Sequence, residues 1–192
     1  MKLLLMGCLG LAAVSAYAEP RSDVQRAFTQ TLDAGGFRGY AQGPVFGAGS
    51  PTMAGRVEVV FPDRIHASTD ELEFIAIGAR AWIRAFGVWG EVDRSLVPAT
   101  MFDMAAMRRA IASIRDVHIE GTAKTNQCPA QVYRFHASGK LPGSNADGDV
   151  RAWICDGSGR LARIEATNAR TGEHAVVVFD WSRRATVQAP QE

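Results

Sequence analysis

Four histidines, three cysteines and two pairs of acids are the residues whose types could support catalysis or metal binding. His66, His118, His136 and His174 each stand alone in strand-like segments, and no two have the i, i+4 spacing of a helical zinc site. They read as solvated or hydrogen-bonded strand residues. Asp156 with Asp180, or Glu71 with Glu73, could form paired carboxylates of the kind that cleave glycosides, which are defined by three-dimensional separation. Alternation along a solvated strand face accounts for them more simply. "CDGSGR" comes nearest to a nucleophilic serine, but it lacks the G-x-S-x-G frame and reads as a hairpin turn. "GAGSPTMAG" is glycine-rich without the lysine of a phosphate-binding loop. No catalytic constellation, metal site or cofactor site emerges, and the protein reads as no enzyme. A hydrolase with an acid pair hidden in the fold stays as the last alternative.

The cysteines suggest a structural role. Removal of a leader takes Cys8 and leaves Cys128 and Cys155. An even pair in an oxidising compartment reads first as a disulfide. "CPAQVYRF" and "VRAWIC" read as strands joined by the loop "HASGKLPGSNADGD". Pairing Tyr133 opposite Val150 would put Cys128 directly opposite Cys155, where side chains are close enough to bridge. The alternative is a redox-active or metal-binding pair, but there is no C-x-x-C and no histidine at ligand spacing.

The leader itself is "MKLLLMGCLGLAAVSAYAEP". Lys2 precedes an apolar stretch from Leu3 to Val14, too short for the ~20 residues that cross a bilayer. Ala16-Tyr17-Ala18 is a small-residue cleavage signal, so residues 1–18 read as a signal peptide and 19–192 as a single periplasmic domain. A rival reading takes Leu5-Met6-Gly7-Cys8 as a lipobox, with a lipid anchor on Cys8. Losing Lys2 brings 21 basic and 20 acidic residues into balance. That offers no basic patch for nucleic acid and none for an anionic membrane surface. No later segment reads as transmembrane.

The elements follow from periodicity. A first helix is expected over Asp23–Ala34, with Ser22 and Gln25 as a capping box and Gly35-Gly36 as its stop. A second is expected over Met101–Arg115, capped by Thr100 and Asp103. Its stripe is Met104, Met107, Ile111 and Ile114, and Arg108 and Arg115 flank one edge. Those arginines read as stems lying over a core rim, with a basic lip for an anionic headgroup as the alternative. Between and after the helices the period is two, as in Val57, Val59 and Phe61, with turns at Pro62-Asp63, Gly78-Ala79 and Arg170–Gly172. "RRATVQAPQE" reads as a frayed tail. The order helix, strands, helix, strands predicts one α+β domain, in which roughly ten antiparallel strands curl beneath two helices.

What remains is aromatic surface. Phe74, Trp82, Phe86, Trp89, Tyr133, Phe135, Trp153 and Trp181 fall mostly within strands, and some strands look apolar on both faces. Both faces of such a sheet must be covered. Helices cover one; curvature would shield the other and leave an apolar cavity, with these eight residues as its expected lining. The alternative is a dense core or a buried interface.

Three stretches then resemble the LolA-like periplasmic lipoprotein-carrier superfamily. They are "GRVEVVFPDRIHAS", with Gly55, Pro62 and Arg64; "AIGARAWIRAFGVWGEV", with Trp82 and Trp89; and "VRAWICDGSGRLARIEATNARTGEHAVVVFDWS", with Trp153, Asp156 and Gly159. The resemblance implies an incomplete, strongly curved antiparallel barrel closed by helices. It implies a cavity for the acyl chains of lipids or lipoproteins, without catalytic residues or metal. The Cys128–Cys155 pair and the arginine-rich helix edge depart from that pattern. The expected function is a non-enzymatic carrier or binding protein for an amphiphile. An envelope protein-interaction module with a filled interior is the runner-up.

Overall fold

The structure is a computed structural model that describes residues 19–44, 52–93, 103–142 and 144–191. The expected signal peptide, its cleavage site and Cys8 lie outside the described residues.

Helix α1 spans Pro20–Asp33 and begins before the expected Asp23. Proline at the first turn loses no hydrogen bond and arrives with a helical φ. Ser22 therefore lies inside the helix, where its hydroxyl donates to the Glu19 carbonyl at 2.7 Å instead of capping. Gln25 is no capping partner either; its amide donates to the Ile111 carbonyl of the second helix at 3.1 Å. Val24, Ala27, Phe28, Thr31 and Leu32 form the buried stripe. Helix α2 spans Met104–Ala112, shorter than expected at both ends. Asp103 is its cap, with Oδ1 accepting the Ala106 N–H at 2.8 Å. Thr100 and Met101 lie outside the described residues. Arg115 belongs to a strand, because Ser113 closes the helix by donating to the Ala110 carbonyl at 2.7 Å.

Eleven strands form one sheet. The first six are β1 (Gly36–Gly43), β2 (Met53–Val60), β3 (Arg64–Ser68), β4 (Glu73–Ile77), β5 (Arg80–Ala85) and β6 (Val88–Val92). After α2 come β7 (Arg115–Lys124), β8 (Pro129–Leu141), β9 (Ser144–Cys155), β10 (Leu161–Thr167) and β11 (His174–Asp180). The spatial order is β6-β5-β4-β3-β2-β1-β11-β10-β9-β8-β7, with every pair antiparallel. Two meanders therefore meet where β1 pairs with β11, and the sheet is curved and not closed. Glycine lets the backbones approach closely at that seam. A Cβ on Gly39 would lie 1.9 Å from the Val178 carbonyl oxygen of β11; farther along, between β2 and β3, one on Gly55 would lie 2.1 Å from that of Ser68. Only a residue without a side chain permits such close coiling.

The β8–β9 hairpin overturns two expectations. Most of the predicted loop "HASGKLPGSNADGD" is strand, paired out to Leu141 opposite Ser144. Its reason is packing: Ala137 and Leu141 are buried, Ser113 of α2 donates to the Ser138 carbonyl at 3.2 Å, and a Cβ on Gly139 would meet Ala110 at 3.3 Å. The register is also shifted by two, with Tyr133 opposite Ala152 and Ala130 opposite Cys155. A shift of two preserves the face of every side chain. Cys128 thus stays on the same side as Cys155 as a diagonal neighbour, and the disulfide forms across a Cα–Cα distance of 5.6 Å.

Alternation divides the sheet into a face that carries the helices and an outer face. Phe37, Val57, Val59, Ile65, Ala76, Ala81, Phe135, Val150, Ala152, Ile164, Val177 and Phe179 join the apolar stripes of α1 and α2 in one core. The tail, expected to fray, instead crosses the outer face. Val187 is 4% exposed and packs with Ile75 and Trp82, bordered by Val60, Ile77 and Trp89. Glu58 holds the segment in place, accepting the Thr186 N–H at 3.1 Å and pairing with Arg183 at 3.6 Å. The two-sided apolarity of β4 thus has a structural cause.

Candidate functional site

The eight aromatics expected to line one cavity are not gathered in one place. Tyr133 and Phe135 stand on the helix face beneath α1, where Phe28 meets Phe135 edge-on with ring centroids 5.9 Å apart. Tyr133 is 4% exposed. Burial, reinforced by the negative charges of Asp23 and Asp156, pushes its phenol pKa above the usual value. Trp181 stacks on Phe179 at 5.8 Å, donates its indole N–H to the Leu161 carbonyl at 2.6 Å and carries the Arg160 guanidinium over its ring. These three belong to the packed core. Trp82, Trp89 and Trp153 lie on the outer face. Arg80 covers Trp82 at 4.7 Å and Arg163 covers Trp153 at 5.3 Å. Phe86 stands at the β5–β6 turn, with φ +53° and full exposure. Only Phe74 is half-buried on the helix face away from both helices.

The residues that accompany Phe74 are ones the aromatic pattern overlooked. Register aligns Ala67, Phe74, Ile83 and Gly90 across β3–β6, and Ile65, Ala76, Ala81 and Val92 in the adjacent row. Together they make an apolar wall of small and aliphatic side chains. The signal was present in "ARAWIRA": Ala81, Ile83 and Ala85 alternate with Arg80, Trp82 and Arg84. Two arginines sharing a face with a tryptophan mark that face as the wet one.

Burial along this wall is graded. Ile65, Ala76 and Ala81 are fully buried, Phe74, Ile83 and Val92 are partly buried, and Leu72, Ala85 and Val88 are exposed. Gly90 faces open space, with nothing within 4 Å of an added Cβ. Helix α1 packs on β1 and β7–β10, and α2 packs chiefly on β8.

The outer face has polar clefts instead. One, of about 530 Å³, is lined by Arg38, Arg56, Glu58, His66, Glu73 and Asp180 among others. Its charges neutralise one another: Arg38 Nε lies 3.5 Å from Glu58 and 3.4 Å from Asp180, and Glu73 accepts from His66 Nε2 at 2.8 Å and from Arg84 at 3.2 Å. The Asp180 carboxyl is held below the usual carboxylate range by hydrogen bonds from the Ser182 hydroxyl and N–H, with Arg38 adding to the effect. A second cleft, of about 550 Å³, is lined by His136, His174, Arg134, Asp149 and Glu165 among others, and its histidines are hydrogen-bonded or partly exposed strand residues as expected, His174 Nδ1 lying 3.1 Å from the Thr167 hydroxyl. Arg134 sits 2.6 Å from Asp149 and holds its carboxyl low. Of the acid pairs considered, Asp156 and Asp180 line different clefts, Glu71 is exposed in a turn and Glu73 is tied to His66. Among the described residues no three of His, Cys, Asp and Glu converge as a metal-holding group.

Solved structures identify the architecture. LprF from Mycobacterium bovis superposes with a TM-score of 0.64 at 11% identity, covering 90% of this chain and 96% of its own. The lipoprotein LppX from Mycobacterium tuberculosis gives 0.58 at 14% identity, over 87% and 99%. The fold is LolA-like. A LolA superfamily protein from Nitrosomonas europaea aligns over 90% of this chain and 96% of its own, at 10% identity and a TM-score of 0.35. No family model and no curated protein matches the sequence. In this LolA-like sheet the half formed by β7–β10 is closed by α1, while the half formed by β3–β6 presents its apolar wall beyond the strands on which α1 packs. Among the described residues no helix is long and apolar enough to cross a membrane.

Proposed function

We propose that this protein is a non-enzymatic carrier or binding protein of the periplasm, holding a lipid, a lipoprotein acyl chain or another amphiphile. The observation that carries this reading is the graded apolar wall of β3–β6, which passes from buried Ala76 and Ala81 through half-buried Phe74 and Ile83 to exposed Val88. A LolA-like sheet supports it as architecture. Cargo would be held by burial alone. Each methylene removed from water contributes about 0.8 kcal/mol, so ~10 methylenes could contribute about 8 kcal/mol before the ordering cost. Release then requires a docking partner or a displaced helix, because spontaneous exit re-exposes the same area. The eight aromatics divide in this account. Phe74 touches cargo, Phe86 stands at the rim, Tyr133, Phe135 and Trp181 hold the core, and Trp82, Trp89 and Trp153 stabilise the outer face. Titration with a fluorescent long-chain fatty acid should give saturable one-to-one binding. Absence of uptake would contradict the proposal.

One observation favours the second reading, an envelope interaction module. Beneath α1 the interior is filled, with Phe28, Phe135 and Val150 essentially inaccessible. A chain without uptake but with a specific envelope partner would favour that module.

A further inference from the structure

We propose that the tip of the β5–β6 hairpin is a lip by which the protein docks on a lipid bilayer surface. This deepens the carrier reading and rests on it. Three observations converge at one end of the sheet. Phe86 is fully exposed and Val88 is 72% exposed. Leu72, 45% exposed, precedes Glu73; since Glu73 pairs with Arg84, Leu72 comes level with Ala85 and its partner Val88. The apolar wall therefore runs without interruption onto this rim. A chain leaving the wall here would pass from one apolar surface to the next.

Phe86 and Gly87, with φ of +53° and +82°, are the two central residues of the hairpin turn, which requires left-handed φ at both; asparagine suits the first position better than a bulky ring. No aromatic or aliphatic neighbour compensates for that ring, which points wholly into solvent. A fully exposed aromatic that contributes nothing to the core is free to meet a surface outside the chain. The positive charge beside it is already satisfied. Arg84 donates to the Gly87 carbonyl at 3.3 Å and to Glu73 at 3.2 Å, while Asp70 and Glu71 on the neighbouring turn are exposed. The lip thus has an apolar tip with no surplus of positive charge. It suits the hydrocarbon boundary of a zwitterionic bilayer, not an anionic headgroup layer.

The test is flotation of the full mature chain with vesicles of phosphatidylcholine and phosphatidylethanolamine, at low and high salt. The wild type should float at both salts. Phe86→Asn should reduce the vesicle partition coefficient about tenfold or more, with Val88→Thr adding to the loss. Phe86→Asn should melt no lower than the wild type, which separates lost docking from lost folding. A wild type that stays with the dense fraction, or a Phe86→Asn variant that floats equally, would overturn the proposal. Salt-dependent binding that requires anionic lipid would overturn it as well. The fatty-acid titration separates the two ideas. Uptake without flotation overturns the lip and leaves the carrier. Flotation without uptake sustains the lip and overturns the carrier.

Discussion

Gly90 offers a direct way to fill the wall without disturbing the fold. It pairs with Ile83 on β5, beside Phe74, and a Cβ there meets nothing within 4 Å. Its φ is not in the left-handed region, so a side chain brings no backbone strain. In Gly90→Trp the indole should lie over Ile83 and Phe74, covering the length of about three methylenes of a bound chain. At about 0.8 kcal/mol each, cargo affinity should fall by ~2–3 kcal/mol, or roughly 30- to 150-fold in Kd. Stability should hold or rise, because glycine inside a strand costs roughly 0.5–1 kcal/mol and aromatics favour strands. The assay is the fluorescent fatty-acid titration, run beside a thermal melt. Arg56→Trp, on the outer face of β2, is the control and should leave Kd unchanged. If Gly90→Trp folds normally and binds as tightly as the wild type, cargo does not lie on this wall.

Other parts of the structure make separate predictions. Replacing Cys128 and Cys155 by serine opens a loop with a sequence separation of 27. Loop entropy predicts a loss of about 3.5 kcal/mol; an unchanged urea midpoint would contradict it. Val187→Asp should release the tail from Ile75 and Trp82, shift tryptophan emission to the red and cost about 1–2 kcal/mol, limited by what docking the tail contributes. Unchanged emission would show that the tail does not cover Trp82. Asp149 and Asp180 have depressed carboxyl pKa values, from Arg134 and Ser182 respectively. Their stabilisation is complete above the unfolded carboxylate value near pH ~4 and is lost as pH falls through the folded values. Asp149 is exposed and Asp180 partly so, and the effect is small after screening. The Asp149→Asn, Asp180→Asn double variant should have a flatter decline in melting temperature on acidification, and an identical decline would contradict this.

Much of the fold could be read from period-two alternation. The wall strands, the Gly78-Ala79 turn and the order of elements all follow from it, because a strand with one wet face must alternate. Alternation says which residues share a face but not which face carries the helices. Large rings suggested that Trp82 and Trp89 faced inward. Arg80 and Arg84, of the same parity as Trp82, mark that face as outer, and cation–π contact makes a large ring acceptable there. Long-range packing hid the rest. Nothing local in "RRATVQAPQE" announces that Val187 finds a socket on β4 and β5. Likewise, "HASGKLPGSNADGD" has the composition of a loop, and its strand character depends on α2 lying against Ala137 and Leu141.

Mass spectrometry of a solvent extract from freshly purified, detergent-free protein tests the central claim most directly. The account predicts an amphiphile with a long hydrocarbon chain at close to one equivalent per chain, diminished in Gly90→Trp. A clean extract from wild-type protein that also takes up no added fatty acid would contradict it.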